Sequence, residues 1–115
     1  MSVCILFGGA GFVGTHLAKH FLESKRFSHI RIADINESPL VGVQGISFSK
    51  TDVREEISLS LISDEPEWIF NLAAIHREPG HLPHEYFETN IKGAHNISNY
   101  ANKVNCKNIY FTSSI

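Results

Sequence analysis

The chain alternates between short runs rich in apolar residues and longer stretches in which apolar residues recur at helical spacing. Val3–Phe7 is apolar at every position, which is typical of a parallel strand buried on both faces. Similar runs at Ile30–Ala33, Ile46–Ser49, Trp68–Leu72 and Ile109–Thr112 predict four more strands.

Amphipathic stretches predict helices between these strands. One helix follows the glycines after Phe7, and a long one runs from about His84 to Lys103. The apolar stripe of the long helix is Phe87, Ile91, Ala94, Ile97 and Ala101. A shorter helix is expected over residues 54–62, ending before Pro66. Alternating strands and helices predict an α/β, Rossmann-type doubly wound parallel sheet in the order 3-2-1-4-5, if the crossovers are right-handed.

Composition narrows the picture. The 115 residues are 43% hydrophobic and 19% charged with a formal net charge of −2, which fits a single globular domain over residues 1–115. Without basic clusters or a long apolar segment, neither a nucleic acid nor a membrane is an expected partner. The cysteines, Cys4 and Cys106, have neither disulfide-framework nor zinc-type spacing, so we expect a cytoplasmic protein.

The clearest chemical signal is the glycine run between the first strand and the first helix. Gly8, Gly11 and Gly14 form G-x-x-G-x-x-G, and Gly9 begins an overlapping G-x-G-x-x-G. Such a run lets the backbone approach a dinucleotide pyrophosphate, whose charge meets the helix N-terminus. The alternative is a tight turn without a ligand.

Two aspartates follow later strands. Asp34 lies twenty residues beyond Gly14, where its carboxylate could bind both ribose hydroxyls of NAD and repel the 2′-phosphate of NADP. It could instead simply form a turn. Asp52, with Val53, could contact adenine, or Asp52 could cap the next helix. Ala73 and Ala74 are small enough for close approach to a cofactor, or for simple packing.

Together these residues resemble the extended short-chain dehydrogenase/reductases, and within them the NAD-dependent epimerase/dehydratase family. The resemblance spans the whole chain. It is carried by residues 8–14, by Asp34, by Asp52-Val53-Arg54, by Asn71-Leu72-Ala73-Ala74, by Thr89-Asn90-Ile91-Lys92-Gly93 and by Phe111-Thr112-Ser113-Ser114.

The resemblance implies a role for each matching residue. Pyrophosphate would bind at the glycines with Phe12 and Val13, ribose at Asp34, and adenine at Asp52 and Val53. Leu72 and Ala73 would line the cofactor, and Asn90 would support the site. Ser114 would be catalytic, with Ser113 as the adjacent alternative, by hydrogen bonding the sugar hydroxyl or ketone; a helix cap or turn is its other interpretation.

The family's general base, a Tyr followed four residues later by a Lys, has no counterpart. Tyr86, Tyr100 and Tyr110 are followed at that spacing by Asn90, Val104 and Ser114. We therefore expect the chain to be the N-terminal portion of an enzyme, truncated after the fifth strand, without the rest of the Rossmann domain and the substrate domain, and inactive alone.

For the intact enzyme the resemblance implies an NAD-dependent nucleotide-sugar epimerase. A nucleotide-sugar 4,6-dehydratase is the alternative within the class, and plain reduction of a carbonyl substrate is a third. A non-enzymatic NAD-binding or sensing module is the alternative of another class. The resemblance also implies a homodimer that pairs through the helix from His84 to Lys103.

The loop after the fourth strand allows one further interpretation. It holds His76, His81, His84, Glu78 and Glu85, so a zinc site is conceivable. Because the resemblance places this loop beside the substrate, we expect no metal and a contact of His76 or Arg77 with substrate or cofactor. A solvated loop is the alternative.

Overall fold

The computed structural model describes residues 2–61, 65–73, 84 and 87–112. Its strands are β1 (Val3–Phe7), β2 (His29–Asp34), β3 (Ile46–Lys50), β4 (Trp68–Asn71) and β5 (Ile109–Phe111). Its helices are α1 (Phe12–Ser24) and α2 (Gly93–Lys103), and a π-helical segment, Phe87–Lys92, runs directly into α2. A short 3₁₀ turn covers Leu59–Leu61.

The five strands form one parallel sheet in the order β3-β2-β1-β4-β5, which confirms the predicted topology. At the carboxyl edge of the sheet, Phe7 of the central strand pairs with Ala33 on one side and with Asn71 on the other. In open parallel sheets, ligands bind outside this edge, where the strand order reverses. The fold therefore places the glycine run and the last residue of β2, Asp34, side by side.

Each face of the sheet carries its own apolar core. Cys4 and Leu6 point toward α1, where they meet Ala18 and the isoleucines of β2. Val3, Ile5 and Phe7 point to the opposite face, toward α2. All five side chains of β1 are buried, which explains why this strand is apolar at every position.

The segment after β3 does not form the predicted helix. Within residues 54–61 the structure has only the 3₁₀ turn at Leu59–Leu61. The Asp52 carboxylate accepts the N–H of Arg54, and the Ser58 hydroxyl accepts the N–H of Ser60. Such local side-chain acceptors compete with helical hydrogen bonds.

The prediction of the long helix is correct over its described part, residues 87–103, but its apolar stripe is partly wrong. Ile97 and Ala101 are buried as expected, whereas Ile91 is 60% exposed. The π-helical winding before Gly93 is wider than α-helical winding, so a constant 3.6-residue period does not hold across the junction. Gly93 then faces the core: a Cβ there would lie 2.8 Å from Cγ2 of Val53.

Tyr100 places a buried hydroxyl without a described hydrogen-bond partner in the core beneath α2. Its ring is fully buried and packs edge-to-face on Phe7, with 6.1 Å between ring centroids. No described group hydrogen-bonds its hydroxyl, and burial raises the pKa of Tyr100 to about 12. An unpaired buried hydroxyl costs stability.

Tyr100→Phe should therefore raise the free energy of unfolding, by about 1 kcal/mol, because the desolvated hydroxyl is removed while the ring contact remains. Urea denaturation at neutral pH would measure this change. The matched control is Tyr110→Phe, which should make no difference because Tyr110 is an exposed residue. A clear loss of stability in Tyr100→Phe would contradict the assignment of an unpaired hydroxyl.

Candidate functional site

The first glycine of the run allows two strands to approach each other. Gly8 has φ of 75° and donates its N–H to the carbonyl of Ala33 at 2.8 Å. A Cβ at Gly8 would lie 2.5 Å from the backbone nitrogen of Ala73. Both the left-handed conformation and this contact require glycine.

Gly14 likewise allows a close contact, here between α1 and the glycine run. A Cβ at Gly14 would lie 2.4 Å from Cα of Gly9, so the first turn of the helix packs directly on the backbone of the glycine run. Packing alone thus accounts for Gly8 and Gly14. Neither needs a ligand to explain it.

Gly11 differs, because packing does not require it. Its φ of −77° suits any residue, and it precedes α1 as the cap residue. Apart from its neighbours, the nearest described atom to a Cβ built there is the Gly8 carbonyl oxygen, at 3.9 Å. The described part of the chain therefore leaves room for another group in front of Gly11.

The start of α1 faces this space and favours an anion. Among the described residues no side chain caps the helix, and its first turn has no acidic residue. The free N–H groups and the helix dipole give this end a partial positive charge. Phe12 and Val13, the first two residues of α1, follow Gly11 directly, and they are 79% and 61% exposed.

Asp34 lies against the glycine run. One carboxylate oxygen, Oδ2, accepts the N–H of Ala10 at 2.9 Å, and Oδ1 accepts the N–H of Asn36 at 2.9 Å. Each carboxylate oxygen can accept a second hydrogen bond, so capacity for two hydroxyl donors remains. Asp34 therefore does form a turn, as the alternative interpretation expects. Its contact with the ribose stays a prediction.

Asp52 and Val53 have different surroundings. Hydrogen bonds from the Arg54 side chain lower the pKa of the Asp52 carboxyl, with Nη2 and Oδ2 2.8 Å apart. Asp52 also accepts the Arg54 N–H, so it caps a turn and not a helix. The Val53 side chain is 6% exposed and packs against Gly93, while its carbonyl accepts a hydrogen bond from Asn96. An adenine contact of either residue remains a prediction.

The end of β4 forms the other wall beside the glycine run. Leu72 and Ala73 are partly buried, and Leu72 donates its N–H to the Phe7 carbonyl at 2.7 Å. Asn71 accepts the Ala73 N–H through Oδ1 at 3.0 Å. Its own carbonyl accepts both the N–H and the hydroxyl of Thr112.

Asn71 was not among the site residues that the sequence predicted. It is 8% exposed and links the ends of β4 and β5, and it fixes the backbone that touches Gly8. A polar residue that ends an otherwise apolar strand is the signal that could have found it. Buried polar groups of this kind are hydrogen-bonded and so fix local geometry.

Several predicted residues lie outside the described part of the chain. They are Ala74, His76, Arg77, Glu78, His81, Glu85, Ser113 and Ser114. Asn90 is described and partly buried in the π-helical segment, where its supporting role stays a prediction. Within the described residues, no three or more potential metal ligands cluster, and no helix is long and apolar enough to cross a membrane.

Comparisons with known proteins agree with this geometry. Protein CapI of Staphylococcus aureus is 27% identical over 124 residues, covering 96% of this chain and 37% of CapI. An Escherichia coli O157:H7 protein, N-acetyl-alpha-D-glucosaminyl-diphospho-ditrans,octacis-undecaprenol 4-epimerase, is 32% identical over 115 residues, covering 96% of this chain and 32% of the relative. The chain thus spans about a third of the length of these curated relatives.

A solved structure extends the likeness to three dimensions. The Bordetella bronchiseptica enzyme WbmG in complex with NAD and UDP superimposes with a TM-score of 0.77 at 25% identity, over 94% of this chain and 36% of that one. These similarities confirm the resemblance to extended short-chain dehydrogenase/reductases. Because the model of the 3-beta hydroxysteroid dehydrogenase/isomerase family matches residues 5–115, the chain belongs to that family.

Proposed function

We propose that the chain binds NAD at the carboxyl edge of the sheet, with the pyrophosphate in front of Gly11. The observation that carries this proposal is that packing accounts for Gly8 and Gly14 but leaves Gly11 unexplained. The uncapped start of α1 supplies the positive potential that a pyrophosphate requires. NAD in the WbmG complex supports the choice of dinucleotide.

The proposal assigns a part of the site to each predicted residue. Phe12 and Val13 flank the pyrophosphate, and Asp34 accepts the adenosine ribose hydroxyls. Asp52 and Val53 form the adenine end, while Leu72 and Ala73 line the opposite wall and Asn90 supports it. Ser114 acts on the substrate when NAD, which accepts and returns a hydride, is bound.

Gly11→Ala tests the pyrophosphate site, because the added methyl group enters the open space without a described clash. NAD affinity should fall by about tenfold or more, since the methyl group prevents close backbone approach. Calorimetric titration of the 115-residue chain would measure it. Ser24→Ala, at the other end of α1, serves as the control and should bind normally.

The thermal midpoint of Gly11→Ala should stay within a few degrees of wild type, since Ala at a helix cap costs about 1 kcal/mol relative to better caps. Gly14→Ala should instead unfold the turn, because its Cβ would overlap Gly9. Unchanged NAD affinity in a folded Gly11→Ala chain would refute the site.

The Asp34 carboxylate should select NAD over NADP, because its charge repels a 2′-phosphate. Asp34→Asn removes the charge and keeps one oxygen acceptor for a backbone N–H. The ratio of the NADP to the NAD dissociation constant should fall by about tenfold in this variant. Asp52→Asn is the comparison, because its carboxylate is paired with Arg54 and should affect this ratio little. Equal ratios in wild type and Asp34→Asn would argue against the ribose assignment.

For the protein that carries this chain we propose epimerisation of a nucleotide sugar. The sugar carbon would give a hydride to NAD and its hydroxyl a proton to a general base, and both would then return, the hydride to the other face of the ketone. Ser114 would hydrogen-bond the oxygen on that carbon. Two observations support a sugar held on a diphosphate. The E. coli relative is named a 4-epimerase of a diphospho-linked sugar, and the WbmG complex contains UDP as well as NAD.

The protein isolated from its native source, supplied with NAD and UDP-N-acetylglucosamine, should form the 4-epimer without net NADH production. Proton NMR would follow the sugar, and absorbance at the NADH band would follow the cofactor. Ser114→Ala should retain NAD binding and lose turnover. A dehydrated keto sugar would identify a dehydratase, net NADH oxidation a reductase, and bound NAD without turnover a binding module; each result would overturn the epimerase.

A homodimer and a cytoplasmic location also belong to this proposal. We propose a homodimer that pairs along the π-helical segment and α2, where Ile91 presents an apolar side chain to solvent. A cytoplasmic location is supported by Cys4 and Cys106, both buried free thiols.

A further inference from the structure

Phe12 and His16 form an aromatic pair beside the open space in front of α1. Their ring centroids are 4.4 Å apart and their planes meet at 69°, an edge-to-face arrangement. The two residues are one helical turn apart, and both side chains are exposed. Contacts between aromatic rings at this distance and angle are attractive.

The pair is unusual because the Phe12 ring gains little from burial. It is exposed at the first position of the helix, beside the uncapped N–H groups. Fixing an exposed ring in one orientation costs side-chain entropy, so a contact is needed to offset that cost. Among the described residues, His16 provides an aromatic contact to Phe12. The contact therefore restricts a side chain that borders the proposed pyrophosphate site.

His20 shows that this arrangement is specific to the first turn. It lies one turn beyond His16 on the same helix and is also exposed. Its ring contacts that of Phe21, at a longer 6.2 Å, and Phe21 packs against Phe27 and Phe70 in the α1 core. His20 thus contacts a side chain that the core already fixes.

We infer that His16 is a positioning residue for cofactor binding: it holds the Phe12 ring in the orientation in which that ring borders the pyrophosphate. The inference rests on the proposed NAD site. His16 acts through Phe12, so its contribution to affinity exists only while the Phe12 ring is present. A histidine that merely supported the helix would contribute equally with or without that ring.

A double-mutant cycle on the 115-residue chain separates these two roles. NAD dissociation constants would be measured by calorimetry for wild type, His16→Ala, Phe12→Ala and the double variant, with thermal midpoints recorded for each. His16→Ala should weaken binding about threefold to tenfold, the range expected from one aromatic pair. In the Phe12→Ala background the same change should have no further effect.

Two more variants sharpen the test. His16→Phe keeps an aromatic partner for Phe12 and should restore affinity to within about twofold of wild type. His20→Ala changes an exposed histidine of the same helix and should bind NAD as wild type does. Neither should shift the thermal midpoint enough to unfold the chain at the binding temperature.

Equal losses from His16→Ala in the two backgrounds would overturn the inference, as would a His20→Ala loss of the same size. If wild type itself fails to bind NAD, the proposed function falls first and the inference with it. If wild type binds NAD but His16→Ala changes the dissociation constant in neither background, only the positioning role is refuted.

Discussion

Close contacts made by glycines, where any side chain would collide with a neighbour, organise this fold. β1, α1 and the residues after β4 meet at Gly8, Gly9 and Gly14, where any Cβ would overlap a neighbouring backbone or side-chain atom. Because these segments touch directly, α1 starts immediately beyond the sheet edge. The helix N-terminus is thereby placed where the strand order reverses, the position in which open α/β sheets bind ligands.

Polar contacts then fix the parts that packing leaves free. Asp34 ties the end of β2 to the N–H of Ala10, and Asn71 ties the end of β4 to Ala73 and Thr112. Both side chains accept backbone hydrogen bonds at the same edge of the sheet. Three strand ends and one helix start are therefore held in fixed relation around the space in front of Gly11, as an electrostatic site requires.

Much of this could be predicted from the sequence because the signals are local. A strand such as β1, buried on both faces, must be apolar throughout. Glycines at fixed spacing between a strand and a helix are typical of a turn whose backbone approaches a neighbouring group closely. The order of the strands followed from the handedness of crossovers.

The failures have equally physical causes. The helix expected over residues 54–62 is absent in its described part because Asp52 and Ser58 hydrogen-bond the backbone locally. Ile91 is exposed because it lies in the π-helical segment before α2. A constant helical period in the sequence does not reveal this change of winding. The role of Asn71 was not predicted, although the residue lies in a motif noted in the sequence, because its side chain fixes the Ala73 backbone against Gly8, a contact between strand ends that are distant in the sequence.

The central claim is that a dinucleotide binds in front of Gly11, against the start of α1. Titrating NAD into the isotopically labelled 115-residue chain and following backbone amides by NMR would test it most directly. The account predicts saturable shifts at Gly11, Phe12 and Val13, with smaller ones at Ala10, which Asp34 holds, and none at the far end of α2. An absence of shifts at these amides, or shifts confined to another part of the chain, would contradict it.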